Sequence, residues 1–257
     1  GKYFDLHPLE GIELPPVREG DLDDIPFFGK KLAREVYDPS GERNFAVKPD
    51  GDHANVVAHR QWSRAIQAYH ATISFADAQI GRVLDALERS AHANNTIVVL
   101  WGDHGWHLGE KEHWRKHALW EVSTRTPLIF SAPAGVAKGR LCPRPVSLID
   151  IYPTLIDLCG LPERRGLDGQ SLRPLLEEPD RKWERPVVMT HGRNNHAVRT
   201  ERWRFIQYSD GGQELYDHAK DPNEWTNVAS FPAHSALKSK LAKWLPAINV
   251  RSRRERR

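Results

Sequence analysis

Sulfur is scarce in this chain of 257 residues, which holds two cysteines and one methionine. Cys142 and Cys159 stand in unlike surroundings and furnish no disulfide framework, so a small disulfide-stapled scaffold is excluded and the redox compartment stays open. Long apolar runs are also missing. None approaches the roughly 20 residues that a membrane-crossing helix needs, so no membrane span is expected. No leader-like pattern of basic, apolar and small residues follows Gly1. Surplus charge is slight as well, at a formal +3, with an isoelectric point near 8.9. Much of that excess sits in Arg251 to Arg257, RSRRERR, which reads as a basic tail, so nucleic acid is not an expected partner. No internal repeat is visible.

What is present is a hydrophobic fraction of 39% beside 28% charged residues, the composition of a globular chain with room for one large or two modest domains. Residues 1 to about 50 are rich in Pro, Gly and acidic side chains, and Asp21-Leu22-Asp23-Asp24 reads as a solvated surface connection rather than a metal site. Between Asp52 and Ser90 the pattern turns helical: Ile66, Tyr69, Ile73, Ala76, Ile80, Val83, Leu84 and Leu87 recur at spacings of three and four. Ile97 to Leu100 and Leu128 to Phe130 are short buried-strand runs, expected to be neighbours in one mostly parallel sheet with that helix on a face. A second helix is expected over Ile151 to Leu158, with Asp150 as its cap, and Cys159 reads as a small buried hydrophobe. From Glu177 onward, short β-rich runs alternate with turn signals such as Asp210-Gly211-Gly212, and Ala236 to Leu245 supplies a closing helix. The expected fold class is α/β, a mostly parallel sheet flanked by helices over residues 1–176, with a smaller antiparallel α+β subdomain over 177–250 and the tail at 251–257.

The chemistry concentrates between Ile97 and Ala132. There a buried strand empties into Trp101-Gly102-Asp103-His104-Gly105, where glycines free the backbone and two ligand-type side chains stand adjacent. Sites of open α/β sheets gather beyond the carboxyl ends of strands. His107, His113, Lys116 and His117 follow within one short segment. Each has a bland alternative. An Asp after a strand commonly caps a turn, and a single His is commonly a surface residue.

Gly102-Asp103-His104-Gly105-Trp106, Leu108-Gly109-Glu110 and Trp114-Arg115-Lys116 together resemble the second metal-binding motif of the sulfatases, in the alkaline-phosphatase superfamily. The Asp-His pair, Trp106 and the Trp-x-Lys spacing are most similar to the iduronate 2-sulfatase branch. Further blocks agree in order: Ser147 to Leu155, Asp168 to Leu172, Ala197 to Arg204, and Glu214 to Asp217 with Asp221 to Glu224. The resemblance implies an alkaline-phosphatase-like catalytic domain with a small carboxyl-terminal subdomain, and hydrolysis of a sulfate ester on a sugar such as a sulfated uronic acid.

By the same resemblance, Asp103 and His104 are metal ligands, the metal being a divalent cation such as Ca²⁺, and Lys116 is the catalytic cation that meets the sulfate. His104 departs from the Asn most sulfatases carry there and widens the choice of metal. Trp106 would wall the substrate pocket, a core position being the rival reading; His113 and His117 are substrate-binding candidates, with His107 beside them. Arg125 would lie near the site or serve an ion pair. The family's Cys-x-Pro-Ser-Arg, whose first residue becomes the formylglycine nucleophile, is not found. Cys142-Pro143-Arg144-Pro145 misplaces the Pro and Arg, and it lies downstream of the metal motif. The chain therefore resembles the carboxyl-terminal portion of a sulfatase, inactive alone, whose partner is an amino-terminal portion of the same protein. Export, whether periplasmic, secreted or lysosomal, goes with that resemblance. Two alternatives stand beside it: a phosphate or phosphonate ester hydrolase of the same superfamily, and a non-catalytic fragment or pseudoenzyme.

Overall fold

The computed structural model describes residues 1–35 and 51–250, so the basic tail at 251–257 lies outside the described residues. In chain order the elements are α1 (Lys2–Asp5), α2 (Phe27–Ala33), α3 (Gly51–Ala58), α4 (Trp62–Glu88), β1 (Val98–Trp101), β2 (His107–Leu108), β3 (Trp114–Arg115), α5 (Glu121–Thr124), β4 (Leu128–Ser131), α6 (Ile151–Leu158), α7 (Arg173–Glu177), β5 (Val187–Thr190), β6 (His196–Arg199), β7 (Trp203–Gln207), β8 (Gln213–Asp217) and α8 (Ser235–Ala242).

The helical stretch anticipated from Asp52 onward is two helices, because Arg60 turns left-handed at φ 53° and separates α3 from α4. Only the start of the long helix is well covered. Ile66 and Ala71 are buried, while Ile73, Val83 and Leu84 on its apolar stripe are exposed.

Strands β1 and β4 are neighbours, as their sequences suggest, but they run antiparallel, with Val99 opposite Phe130 and Trp101 opposite Leu128. The expected parallel pairing fails here for a topological reason. The chain leaves β1, folds through the β2–β3 hairpin and α5, and re-enters β4 at the end it left, with no crossover to reverse direction. Among the described residues every strand pairing is antiparallel.

The carboxyl-terminal half is a four-stranded meander in the order β5-β6-β7-β8 with α8 against it, as read from the sequence. One face packs Val198, Phe205 and Leu215 against Leu241. The other joins Ala197, Ile206 and Tyr216 to Leu119 and Trp120 and to Leu22, Ile25 and Leu32 from the start of the chain. That second cluster corrects the reading of the early acidic stretch as a solvated connection. Leu22 is core, and Asp21 is buried because Lys111 donates to its Oδ1 at 2.7 Å.

Helix α6 spans the expected residues, yet Asp150 does not cap it through its side chain. The fully buried carboxylate instead accepts from the amides of Ser147 and Gln170 and from Arg185 Nη1, binding the 147–150 turn to the Asp168-to-Leu172 block. Thr154 reinforces this joint by accepting from the Leu172 amide at 2.8 Å. Cys159, expected in the interior, is exposed because it stands at the carboxyl cap where the helix leaves the core.

Candidate active site

Strand β1 delivers the chain to Asp103 through Gly102, whose amide donates to Pro127 O at 3.1 Å. The glycines here answer to close approach. A Cβ on Gly102 would strike the Thr126 hydroxyl, and one on Gly105 would run into Val122 O and lie 2.7 Å from Arg125 O. Segment 122–126 therefore presses the Asp-His turn into place, and Gly105 donates to Ser123 O at 2.9 Å.

At this strand end the side chains converge. His104 Nδ1 lies 2.9 Å from Gly105 O. A carbonyl only accepts, so Nδ1 carries the proton and Nε2 presents its lone pair. Lys116 Nζ donates to that Nε2 at 2.9 Å, and Asp103 Oδ2 lies 3.3 Å from it. Asp103 is the open member of the group, with its side chain 81% exposed. The pair supplies a carboxylate oxygen and an unprotonated imidazole nitrogen, side by side. That chemistry suits part of the shell of a divalent cation.

Lys116 owes its position to the β2–β3 hairpin and to buried histidines beneath it. His113 is 1% exposed, with Nε2 2.8 Å from Lys116 O and Nδ1 3.0 Å from Ala33 O. It thus braces the lysine's backbone and does not face the cleft. Burial lowers its pKa, and it pushes His107 further down, with neighbouring His113 adding to the effect. His107 is fully buried, bonded through Nδ1 to Glu110 O, with Nε2 left without a hydrogen-bond partner. His117 is exposed and adopts φ 75°, and its ring lies 5.8 Å from that of His191.

Trp106 stacks at 6.0 Å on His104 and at 6.2 Å on Tyr69, making an aromatic wall beside the Asp-His pair. Behind it, Tyr69, Trp114 and Arg115 help line a groove of about 720 Å³. On the other side, Asp103 and His104 border a cleft of about 740 Å³, faced by Arg144, Ser147, Val187 and Met189. Arg125 also borders that cleft.

Sequence reading missed the ion network under this cleft. Glu121 pairs with Arg199 at 2.9 Å and with Arg204, whose side chain is almost wholly buried. Arg204 Nε sits 2.6 Å from Glu224 Oε1 as an ion pair out of line for a hydrogen bond, and His218 Nε2 reaches the same oxygen at 2.8 Å. Burial alone would push the Glu121 carboxyl up, but the two guanidiniums hold it down at about 2. Glu121, His218 and Glu224 offer atoms within 4.8 Å of one another. Those carboxylates are already neutralised by arginine, so a metal would have to displace a buried guanidinium. A usable signal existed: Arg204 interrupts the apolar run Trp203-Arg204-Phe205-Ile206, and a charge inside a buried strand needs a buried partner.

These features have known counterparts. The sulfatase family profile matches residues 30–161, and that of the carboxyl-terminal region of N-sulphoglucosamine sulphohydrolase matches 109–251. A sulfatase of Formosa agariphila is 43% identical over 97% of this chain and 46% of its own length. Human arylsulfatase K is 36% identical over 64% of this chain and 33% of its own length. Among solved structures, a phosphonate monoester hydrolase of Silicibacter pomeroyi superposes with a TM-score of 0.73 at 25% identity, over 94% of this chain and 51% of that one. BT1596, described as a 2-O GAG sulfatase, gives 0.66 at 25% identity, over 89% and 50%. The chain belongs to the sulfatase family. It spans about half the length of the Formosa relative or less of the others. These two sequence relatives are a bacterial sulfatase and an arylsulfatase K, so membership is fixed at the family and not at the iduronate 2-sulfatase branch.

Proposed function

We propose that this chain is the carboxyl-terminal part of a sulfuric ester hydrolase that removes sulfate from a sulfated sugar, a sulfated uronic acid being the favoured substrate. The convergence of Asp103, His104 and Lys116 at the end of β1 carries this reading. A sulfate monoester is anionic, and cleaving it places further charge on the departing oxygen, so the site must supply preorganised positive charge. Lys116 contributes an ammonium held by the hairpin, with His113 fixing its backbone. Asp103 and His104 would hold the divalent metal, Ca²⁺ in the favoured case. When bound, the metal supplies Lewis-acid stabilisation of the sulfuryl oxygens. Trp106 offers an apolar face to a sugar ring, and exposed His117, which follows Lys116 in the chain, is kept as a substrate-binding candidate.

The formylglycine nucleophile and the remaining ligands are assigned to a preceding segment of the same protein. Exposed Ile73, Val83 and Leu84 on α4, with Trp101 and Ile129 on the two-stranded β1–β4 sheet, support a covering partner. Two paired strands alone are marginal in water, and preceding strands would complete the mostly parallel sheet read from the sequence. Export of the whole protein fits this reading.

The test is sulfate release by the protein at its natural length, from a chromogenic aryl sulfate and from a 2-O-sulfated uronate. Metal-dependent release lost on Lys116→Ala supports the reading. Release from neither ester, or full turnover without Lys116, overturns it.

A further inference from the structure

We propose that His113 is a proton-dependent positioning residue for Lys116. Its ring bridges two backbone carbonyls, and only the doubly protonated ring bonds both and so fixes the ester-site ammonium. This deepens the sulfatase reading and rests on it. Nδ1 lies 3.0 Å from Ala33 O and Nε2 2.8 Å from Lys116 O. A carbonyl oxygen only accepts, and a neutral imidazole carries a single N–H. In the neutral ring one of these contacts is therefore lone pair against lone pair. In the imidazolium both are hydrogen bonds, each strengthened by the charge.

The two carbonyls belong to segments that must be held together. Ala33 ends α2, and carbonyls at a helix end lack intrahelical donors and favour a neighbouring cation. Lys116 leaves β3 between Arg115 at φ 72° and His117 at φ 75°, two left-handed residues that are not glycine. Such backbone persists only where the surroundings over-determine it. His113 supplies part of that restraint from three residues away, and its own carbonyl accepts from the Gly109 amide at 3.0 Å. The bond to Lys116 O thus sets the turn from which the lysine reaches His104 Nε2 at 2.9 Å.

The groups around the ring place the second proton in mild acid. His113 is 1% exposed, and burial draws its pKa below the ordinary histidine value, although the two carbonyls pull it up. Arg115, on the same hairpin, opposes the added charge, and Glu35, just past α2, favours it. His107 on β2 faces the ring at 5.0 Å and stays neutral: its Nδ1 proton goes to Glu110 O, and burial pushes its pKa well down. Trp120, 6.3 Å away, brings no charge. The Lys116 ammonium is directed at His104 instead. With the folded pKa depressed, acid weakens the fold at this group while it tightens the hold on Lys116. Stability and positioning thus move in opposite directions with pH, which a packing role alone does not produce.

Long-range proton–nitrogen NMR of the natural-length protein, titrated between about pH 5 and 8 where histidines change charge, reads the ring directly. The signal lost in His113→Gln identifies it. Both ring nitrogens should carry protons at the acid end, with the Lys116 amide shifting on the same curve. Turnover of an aryl sulfate gives a second readout. Gln offers a donor to the Lys116 carbonyl but takes no proton. The ratio of wild-type to His113→Gln kcat should therefore rise about tenfold from the alkaline to the acid end, the scale of one hydrogen bond gained. A ring with a single protonated nitrogen throughout, or a flat ratio, overturns the assignment. If His113→Gln fails to fold, the Lys116 amide in the wild-type titration decides it. Failure of the sulfatase reading is separate: the ring and the Lys116 amide titrate together while the wild type releases no sulfate.

Discussion

Lys116 Nζ and His104 Nε2 meet at 2.9 Å, and the lone pair that accepts from the lysine is the one a metal would use. The lysine thus pre-aligns the imidazole, and a metal on that nitrogen would have to displace the ammonium. In the natural-length protein, Lys116→Ala and Asp103→Ala should each lower turnover on an aryl sulfate by about a hundredfold or more, the scale of removing one preorganised charge-stabilising group. Residues 1–257 alone should release no sulfate, and chelation should silence the longer protein. Sulfate assays on the isolated chain and on the chelated protein check both.

Glu121 gives a pH dependence with a defined sign. Its carboxyl falls from an ordinary 4.5 to about 2 in the folded chain, where Arg204 and Arg199 outweigh the cost of burial. A folded value below the unfolded one means that the ionised state stabilises the fold. That contribution is complete above about pH 4.5 and is lost as pH falls toward 2. The shift corresponds to roughly 3 kcal/mol. Urea midpoints of the wild type and Glu121→Gln should differ most near neutrality and draw together in acid; a constant gap down to about pH 2 would contradict the assignment.

Local patterns were legible wherever a segment's environment follows from its own residues. The short β-rich runs Trp203 to Ile206 and Glu214 to Tyr216 announce strands, and the Asp210-Gly211-Gly212 turn signal between them announces their antiparallel pairing. The strand-end Asp103-His104 pair with Lys116 downstream was legible too, because the spacing within one hairpin is local. Strand direction was not: the fate of β1 and β4 depends on how the intervening chain returns, which no apolar run encodes. Nor was the burial of Asp21, since its partner Lys111 is 90 residues away in sequence and neither looks like core on its own. His113 was misread as a pocket residue because the carbonyl it braces, that of Lys116, becomes a partner only after the hairpin folds.

The Lys111–Asp21 pair should be a strong determinant of stability. Lys111 is 3% exposed, donates to Asp21 and to Glu224 O, and lies 5.3 Å over the Tyr216 ring. Burial raises the Asp21 pKa despite that ammonium, so removing the lysine would leave a poorly solvated carboxyl behind. Lys111→Met should cost about 3–5 kcal/mol, whereas Lys111→Met combined with Asp21→Leu should recover part of the loss. Denaturant titration of the double-mutant cycle measures this; additive losses would show that the pair is not coupled.

Glycines of similar appearance should respond oppositely to a methyl group. Gly81 lies inside α4, and a Cβ there meets nothing within 4 Å. Gly81→Ala should therefore stabilise by about 0.5–1 kcal/mol through helix propensity. Gly105 lies against the backbone of 122–126, and a Cβ there would collide with Val122 O. Since a carbonyl in α5 cannot swing aside as a flexible side chain can, Gly105→Ala must move the whole turn that carries His104. A loss of about 3 kcal/mol or more is expected, in the range of severe overpacking. The displaced turn should also break the Lys116–His104 contact, so activity should fall further than stability accounts for. Thermal melts of both variants, with turnover measured well below the melting point, separate these effects; Gly105→Ala with wild-type stability and turnover would show that the close approach does not hold the site.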